Sequence, residues 1–282
     1  MAPNPFLEDQ LSALHRGGGF GSFARAFWDR ARENAEARPG LVRELRVARR
    51  LGLVLAVATG LVLGAEGVPV LVAAWALGLT WLLLTGWTWA ELGLVRHPRT
   101  DAPAPRIGPA NVMTLFRGWA AVPVALVGIY RPGPTVAWVV LCLLAGFTDL
   151  FDGTVAIRLG HESRLGRVLD PVLDAFFFSA AAFALARWSL LPAWMAALVA
   201  LRYFTPVIGG LALLFLRGRS LPVRHTPWGQ RSTFATALAL LVTWLATRIT
   251  VPAWLLLALY AVAVVNMALA LGGIARRAPR AA

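Results

Sequence analysis

From residue 51 onward the chain alternates long apolar runs with short polar breaks, and most runs approach the ~20 residues a helix needs to cross a bilayer. Eight spans are expected, at 51–65, 68–95, 111–130, 135–157, 167–187, 190–216, 231–248 and 252–273. The first is short and the second long, so their limits are the softest. Residues 1–50 are polar. Phe20, Phe23, Phe27 and Trp28 among many arginines suit an amphipathic segment on a membrane surface, and equally a solvated helical tail. Pro39-Gly40 breaks that segment once. Between spans two and three, residues 96–106 are rich in proline and charge, and read as a linker between an N-terminal helix pair and a six-helix body.

Composition agrees with the pattern. With 282 residues, 58% hydrophobic and 12 Trp, the chain carries more apolar surface than one soluble core hides, so a polytopic membrane protein is expected. The net charge of +13 comes entirely from arginine, with no lysine, and gathers beside the apolar runs. Its natural partner is an anionic lipid surface, and nucleic-acid binding does not follow from it. Cys142 stands alone in an apolar run and forms no intrachain disulfide. No cleavable signal peptide is expected, since the first long apolar run begins near Leu51.

Arginine asymmetry sets the expected orientation. Arg96, Arg99, Arg106, Arg158, Arg164, Arg167, Arg217, Arg219, Arg224, Arg231, Arg276, Arg277 and Arg280 fall on one side of the spans, against Arg131, Arg187 and Arg248 on the other. That places both termini, and the loop between spans four and five, in the cytoplasm. The expected organisation is therefore a basic N-terminal segment (1–50), a transmembrane helix pair (51–95), a linker (96–108), a six-helix core (109–273) and a basic cytoplasmic tail (274–282).

Four of the 14 acidic residues sit around that loop. Asp149 and Asp152 are spaced i, i+3 and Asp170 and Asp174 i, i+4, so each pair shares one face of its own helix. Carboxylates in apolar spans are costly and mark function. On antiparallel neighbouring helices the four would face one another, and a divalent cation would relieve their repulsion; hard oxygen ligands suit Mg²⁺ or Mn²⁺, and two ions fit the set. A solvated charge cluster or an ion pathway fits the same spacing. Gly153 and Gly166 remove side chains where a ligand or a neighbouring helix approaches.

The full pattern is Asp-x-x-Asp-Gly-x-x-Ala, then nine residues, then Gly-x-x-x-Asp-x-x-x-Asp, made by Asp149, Asp152, Gly153, Ala156, Gly166, Asp170 and Asp174. It resembles the signature of the CDP-alcohol phosphotransferase family of integral membrane enzymes. One position departs: Ile157 stands where that family has arginine, and Arg158 follows, a rotation of roughly 100° on a helix. Asn111-Val112-Met113-Thr114-Leu115-Phe116-Arg117 resembles the opening of the family's first core helix, with Met113 in the leucine place. Ser163-Arg164, Arg202 and, more weakly, Gly229-Gln230-Arg231-Ser232-Thr233 extend the likeness over residues 109–273.

The resemblance implies an all-α polytopic bundle with a six-helix catalytic core, here preceded by an extra helix pair. It implies transfer of a substituted phosphate from a CDP-linked lipid donor, such as CDP-diacylglycerol, to a small polar alcohol, with release of CMP, in phospholipid biosynthesis at the cytoplasmic membrane. Asp149, Asp152, Asp170 and Asp174 would hold metal, with Asp174 also accepting the proton of the attacking hydroxyl. Asn111, Thr114, Gly153, Ala156, Arg158, Ser163 and Gly166 would hold the nucleotide end of the donor, and Arg117, Arg164 and Arg202 phosphate oxygens of donor or acceptor.

Two other readings are an ion-coupled transporter using intramembrane carboxylates, which predicts acids near the midplane and repeated halves, and a family member that binds lipid without turnover. An all-helical prenyltransferase spaces its aspartate motifs differently. The helix pair before residue 96 is open to three roles: forming a homodimer, binding another partner, or packing on the core.

Overall fold

The computed structural model describes residues 19–97, 100–159, 163–217 and 227–275. They form nine helices and no strand among the described residues: α1 (Gly19–Glu36), α2 (Pro39–Ala65), α3 (Val70–Ala90), α4 (Pro109–Tyr130), α5 (Val136–Leu159), α6 (Arg164–Arg187), α7 (Ala193–Arg217), α8 (Pro227–Leu245) and α9 (Ala253–Ala275). Six of them are long and apolar enough to cross a membrane: α2, α3, α4, α6, residues 193–212 of α7, and residues 253–273 of α9. Of the eight expected spans, α5 contributes a shorter described apolar stretch, Val136–Thr148. α8 opens on the polar turn Gly229-Gln230-Arg231-Ser232, which lowers its apolar character.

The soft limits of the first two spans resolve in physical terms. Pro39 sits at the first turn of α2, where its missing N–H costs nothing, and the break at Arg38 separates α1 from α2. The expected span 51–65 is thus the upper part of a 27-residue helix, whose lower turns expose Arg43, Arg46 and Arg50. α3 stops at Ala90 and a 3₁₀ turn, Leu92–Leu94, follows it, so the expected span 68–95 is shorter than its apolar run.

α2 and α3 pair antiparallel because glycine lets them touch. A Cβ on Gly52 would lie 1.9 Å from the Trp81 ring and one on Gly60 3.1 Å from the Ala74 backbone. The Trp81 indole donates to Ala48 O (3.2 Å) and Arg49 Nε to Thr85 Oγ1 (3.3 Å). α1 crosses the end of this hairpin, with Trp28 against Trp89 at 5.8 Å between ring centroids.

Between α3 and α4, residues 96–97 and 100–108 fold into a strap: Arg96 bridges to Pro103, His97 N–H donates to Ala102 O (2.8 Å) and Ala104 N–H to Val95 O (3.1 Å). Arg38 donates to Leu92 O (2.9 Å) and Val95 O (3.0 Å), and Glu44 Oε2 accepts from Ile107 N–H (3.0 Å). With α3 also packed on α4, the helix pair is joined to the core. Of its three expected roles, packing on the core is the one the described residues display.

In the core, α4 is the central element and α6 packs on it most extensively. The two run parallel, since Thr114 meets Asp170, a Cβ on Gly118 would lie 2.7 Å from Leu173 Cδ2, and one on Gly128 would lie 2.8 Å from Ala184 Cα. α5 returns antiparallel and also packs on α4. At the end away from the strap, the Trp138 indole donates to Val124 O (3.1 Å) and the Trp188 indole to Arg131 O (2.8 Å), with the rings edge to face. α7 follows on α6 through the stacked rings of Phe178 and Tyr203, and α8 and α9 close the chain as a hairpin joined by Thr243 and Tyr260.

One carboxyl lies in an unusual setting at the hairpin's end. Glu91, directly after the α3 span, is 6% exposed, its Oε2 accepts no hydrogen bond, and burial pushes its carboxyl from 4.5 up to about 7. The folded chain therefore holds this proton more tightly than the unfolded chain, so stability falls as pH rises through that window and levels off above it. Glu91→Gln is expected to raise the unfolding free energy of the purified protein near pH 8, by roughly 3 kcal/mol at most, and to leave it unchanged near pH 4.5. An equal effect at both pH values would show that Glu91 is not the titrating group.

Candidate active site

The parallel contact of α4 and α6 builds the described half of the site. Asp170 Oδ1 accepts from Thr114 Oγ1 at 2.8 Å, and Asp174 Oδ1 lies 2.8 Å from Arg117 Nη1. Thr114 is i+3 from Asn111 and i−3 from Arg117, so one stripe of α4 faces the aspartate stripe of α6. Arg117 is 0% exposed and Asp174 18%, which makes this a largely desolvated ion pair. Its guanidinium meets a carboxylate of the protein, the expected proton acceptor.

Asn111 and Ser163 likewise spend their polar atoms inside the fold. Asn111 Nδ2 donates to Ile107 O, and its Oδ1 accepts from Ser163 Oγ at 2.9 Å. Ser163 caps α6 by accepting from Gly166 N–H at 3.1 Å. A Cβ on Gly166 would sit 2.8 Å from Asn111 Oδ1, so the approach that requires glycine there is that of a neighbouring helix. Asn111 and Ser163, expected at the nucleotide end of the donor, tie α4 to the start of α6.

Arg164 is partly exposed and pairs with Asp101 at 3.3 Å, which also meets Arg96 at 3.4 Å. Arg202, 7% exposed on α7, donates from Nε to Ser232 Oγ of α8 at 3.2 Å. Asp101 and Ser232 were not among the expected site residues. Asp101 lay in a segment read as linker; the small hydroxyl of Ser232 stood inside a motif noted only as a weak echo. The α5 backbone runs through Asp149, Asp152, Gly153, Ala156 and Arg158, whose side chains lie outside the described residues, as does the loop 160–162. The helices expected to carry the four aspartates, α5 and α6, both pack on α4, which forms a wall of the site the sequence did not predict. Among the described residues no three His, Cys, Asp or Glu side chains converge. The donor set still suits a hard cation, since α6 presents two carboxylates one turn apart and the remaining expected ligands are carboxylates too.

An all-helical, multi-pass membrane protein with polar side chains gathered where α4 and α6 begin is the class this fold and site define. The sequence profile of the family described as CDP-alcohol phosphatidyltransferase matches residues 107–271, more than half of the chain, and the chain belongs to that family. It is similar to the CDP-diacylglycerol–glycerol-3-phosphate 3-phosphatidyltransferase of Cereibacter sphaeroides, 30% identical over 139 residues, covering 49% of this chain and 63% of the relative. It is 33% identical over 108 residues to the Bacillus subtilis protein of the same name, covering 38% of this chain and 54% of the relative. The same identity over 108 residues is found with the CMP-forming cardiolipin synthase of Streptomyces coelicolor, covering 35% of this chain and 50% of the relative. The chain thus spans between half and two thirds of these relatives' lengths. No solved structure matches the chain at a significant level.

Proposed function

We propose that this protein transfers a phosphatidyl group from CDP-diacylglycerol to a small alcohol and releases CMP. The observation that carries the reading is the seven-position motif of Asp149, Asp152, Gly153, Ala156, Gly166, Asp170 and Asp174, lying within the family match. The pairing of its last two aspartates with Thr114 and Arg117 supports it. The relatives' names supply the donor, and glycerol 3-phosphate as the first acceptor to try.

In the proposed reaction the acceptor hydroxyl attacks the β-phosphorus of the donor. A new P–O bond forms to the acceptor oxygen, the P–O bond to CMP breaks, and the hydroxyl proton passes to Asp174. Arg117, beside Asp174, holds that carboxylate in place. Thr114 fixes the rotamer of Asp170 through its hydroxyl. Asp149, Asp152 and Asp170, with Asp174, would hold Mg²⁺ or Mn²⁺, two ions by charge count. Bound there, such ions neutralise pyrophosphate charge and stabilise departing CMP. Arg164 and Arg202 are the arginines left to meet phosphate oxygens, Arg164 by exchanging its exposed pairing with Asp101. The arginine asymmetry of the loops favours a site open to the cytoplasm, in the cytoplasmic membrane.

The test is CMP release by purified protein given CDP-diacylglycerol and labelled glycerol 3-phosphate, inositol phosphate or serine. Release with Mg²⁺ or Mn²⁺ is expected, with loss in excess chelator and recovery when the metal is returned. Turnover that persists in chelator would refute the metal site. CMP formation with none of the acceptors would favour a lipid-binding family member without turnover.

A further inference from the structure

One hydrogen-bond chain runs from the first turn of α6 out of the family core and into the N-terminal helix pair. Gly166 N–H donates to Ser163 Oγ (3.1 Å), Ser163 Oγ to Asn111 Oδ1 (2.9 Å), Asn111 Nδ2 to Ile107 O, and Ile107 N–H to Glu44 Oε2 (3.0 Å). The bonds run in one direction toward the Glu44 carboxylate, a charged acceptor that strengthens the last of them, and Ile107 links its two bonds mechanically, through its backbone on either side of Cα. The two ends that this chain fastens are those that matter for the site. Gly166 is one turn before Asp170, and Asn111 is one turn before Thr114. Glu44 lies 63 residues before Ile107 in the chain and outside the matched residues 107–271.

The supports of Glu44 are themselves anchored. Arg38, six residues earlier and just before α2, grips the carbonyls of Leu92 and Val95, where the strap begins. Arg164 N–H donates to Arg96 O at 3.0 Å, a second tie from the strap to the first turn of α6. The strap is thus held by the helix pair on one side and holds both site helices on the other.

We infer that Glu44 is a positioning residue: through Ile107 and Asn111 it keeps the first turns of α4 and α6 in the register where Thr114 meets Asp170 and Arg117 meets Asp174. The inference rests on the reading of those aspartates as the catalytic site. It also gives the helix pair a task, as the scaffold from which the core's site helices are aligned.

Glu44→Gln and Glu44→Ala separate this role from a general loss of structure, because glutamine keeps a side-chain oxygen where Oε2 accepts and alanine does not. Both are measured as full-length protein in detergent, by amide hydrogen exchange and by CMP release from CDP-diacylglycerol. In Glu44→Ala, exchange in residues 109–114 and 163–167 is expected to quicken about 5-fold to 10-fold, with α9 unchanged. Its kcat is expected to fall about 10-fold or more while KM for the donor stays within about 2-fold, the signature of misplaced catalytic groups. Glu44→Gln should track the wild type in both readouts. Unchanged exchange in Glu44→Ala, faster exchange with kcat intact, or a glutamine variant as impaired as the alanine one would each overturn the inference. A wild type that releases no CMP would instead sink the catalytic reading; the exchange contrast then decides whether Glu44 orders the two turns.

Discussion

Asp174→Asn is expected to abolish CMP release while leaving the protein folded. Asparagine has the shape of aspartate and keeps an oxygen toward Arg117 Nη1, which lies 2.8 Å from Asp174 Oδ1 in the native chain. It cannot take up the proton of an attacking hydroxyl. Loss of a positioned base lowers such rates by about 10²-fold to 10⁴-fold, so the variant should fall near the background of the assay. The unfolding midpoint should fall without loss of the fold, since the buried guanidinium keeps an acceptor but loses its counter-charge. The informative measurement is CMP release and thermal unfolding on the same preparation. A variant with wild-type turnover would remove Asp174 from the role of proton acceptor, whatever its part in metal binding.

Arg117→Leu is expected to damage both stability and turnover. Arg117 is fully buried, and leucine at that position fills part of its volume but supplies no charge to Asp174, which is 18% exposed. Removing one partner of a buried ion pair leaves the other facing a poorly solvating interior, at a cost of roughly 3 kcal/mol. Adding Asp174→Leu should return much of that stability, because an apolar pair tolerates the site that a single charge does not. Activity should stay absent in the double variant. If Arg117→Leu alone unfolds at the wild-type temperature, the pair does not have the energetic weight its burial implies. If Arg117→Leu retains turnover, Asp174 does not need its guanidinium neighbour.

Both expectations turn on contacts that periodicity does not reveal. The aspartates were legible because a carboxylate in an apolar run is an energetic exception, and because Asp149, Asp152, Gly153, Ala156, Gly166, Asp170 and Asp174 keep fixed spacings. Helix existence was legible for the same reason that hydropathy works in membranes: backbone groups in hydrocarbon must be satisfied within each segment, so apolar runs of sufficient length become helices. Helix limits were less so. Pro39 started α2 well before its apolar run, and α3 ended before the apolar run did.

The protein contacts of Asn111, Ser163 and Arg117 were the least legible. As sequence they are polar residues near a site, suited to a ligand. In the fold each meets a protein partner first, because α4 and α6 approach closely enough at Gly118, Gly128 and Gly166 for side chains to bridge them. The segment between α3 and α4 was legible as proline-rich and charged, but not as a strap: proline also fixes chain direction, and the charges of Arg96 and Asp101 are used within it and on Arg164.

The amino-acid sequence alone determined that this is an all-helical membrane protein of the CDP-alcohol phosphatidyltransferase family with four aspartates at its centre, since hydropathy and fixed spacing are properties of the chain itself. Only the tertiary structure decided that α4 and α6 lie parallel and in contact, that Arg117 meets Asp174, and that Glu44, outside the matched residues, accepts from the Ile107 N–H ahead of α4. Those facts depend on which helices pack together, and residues 60 positions apart carry no local signal of their meeting.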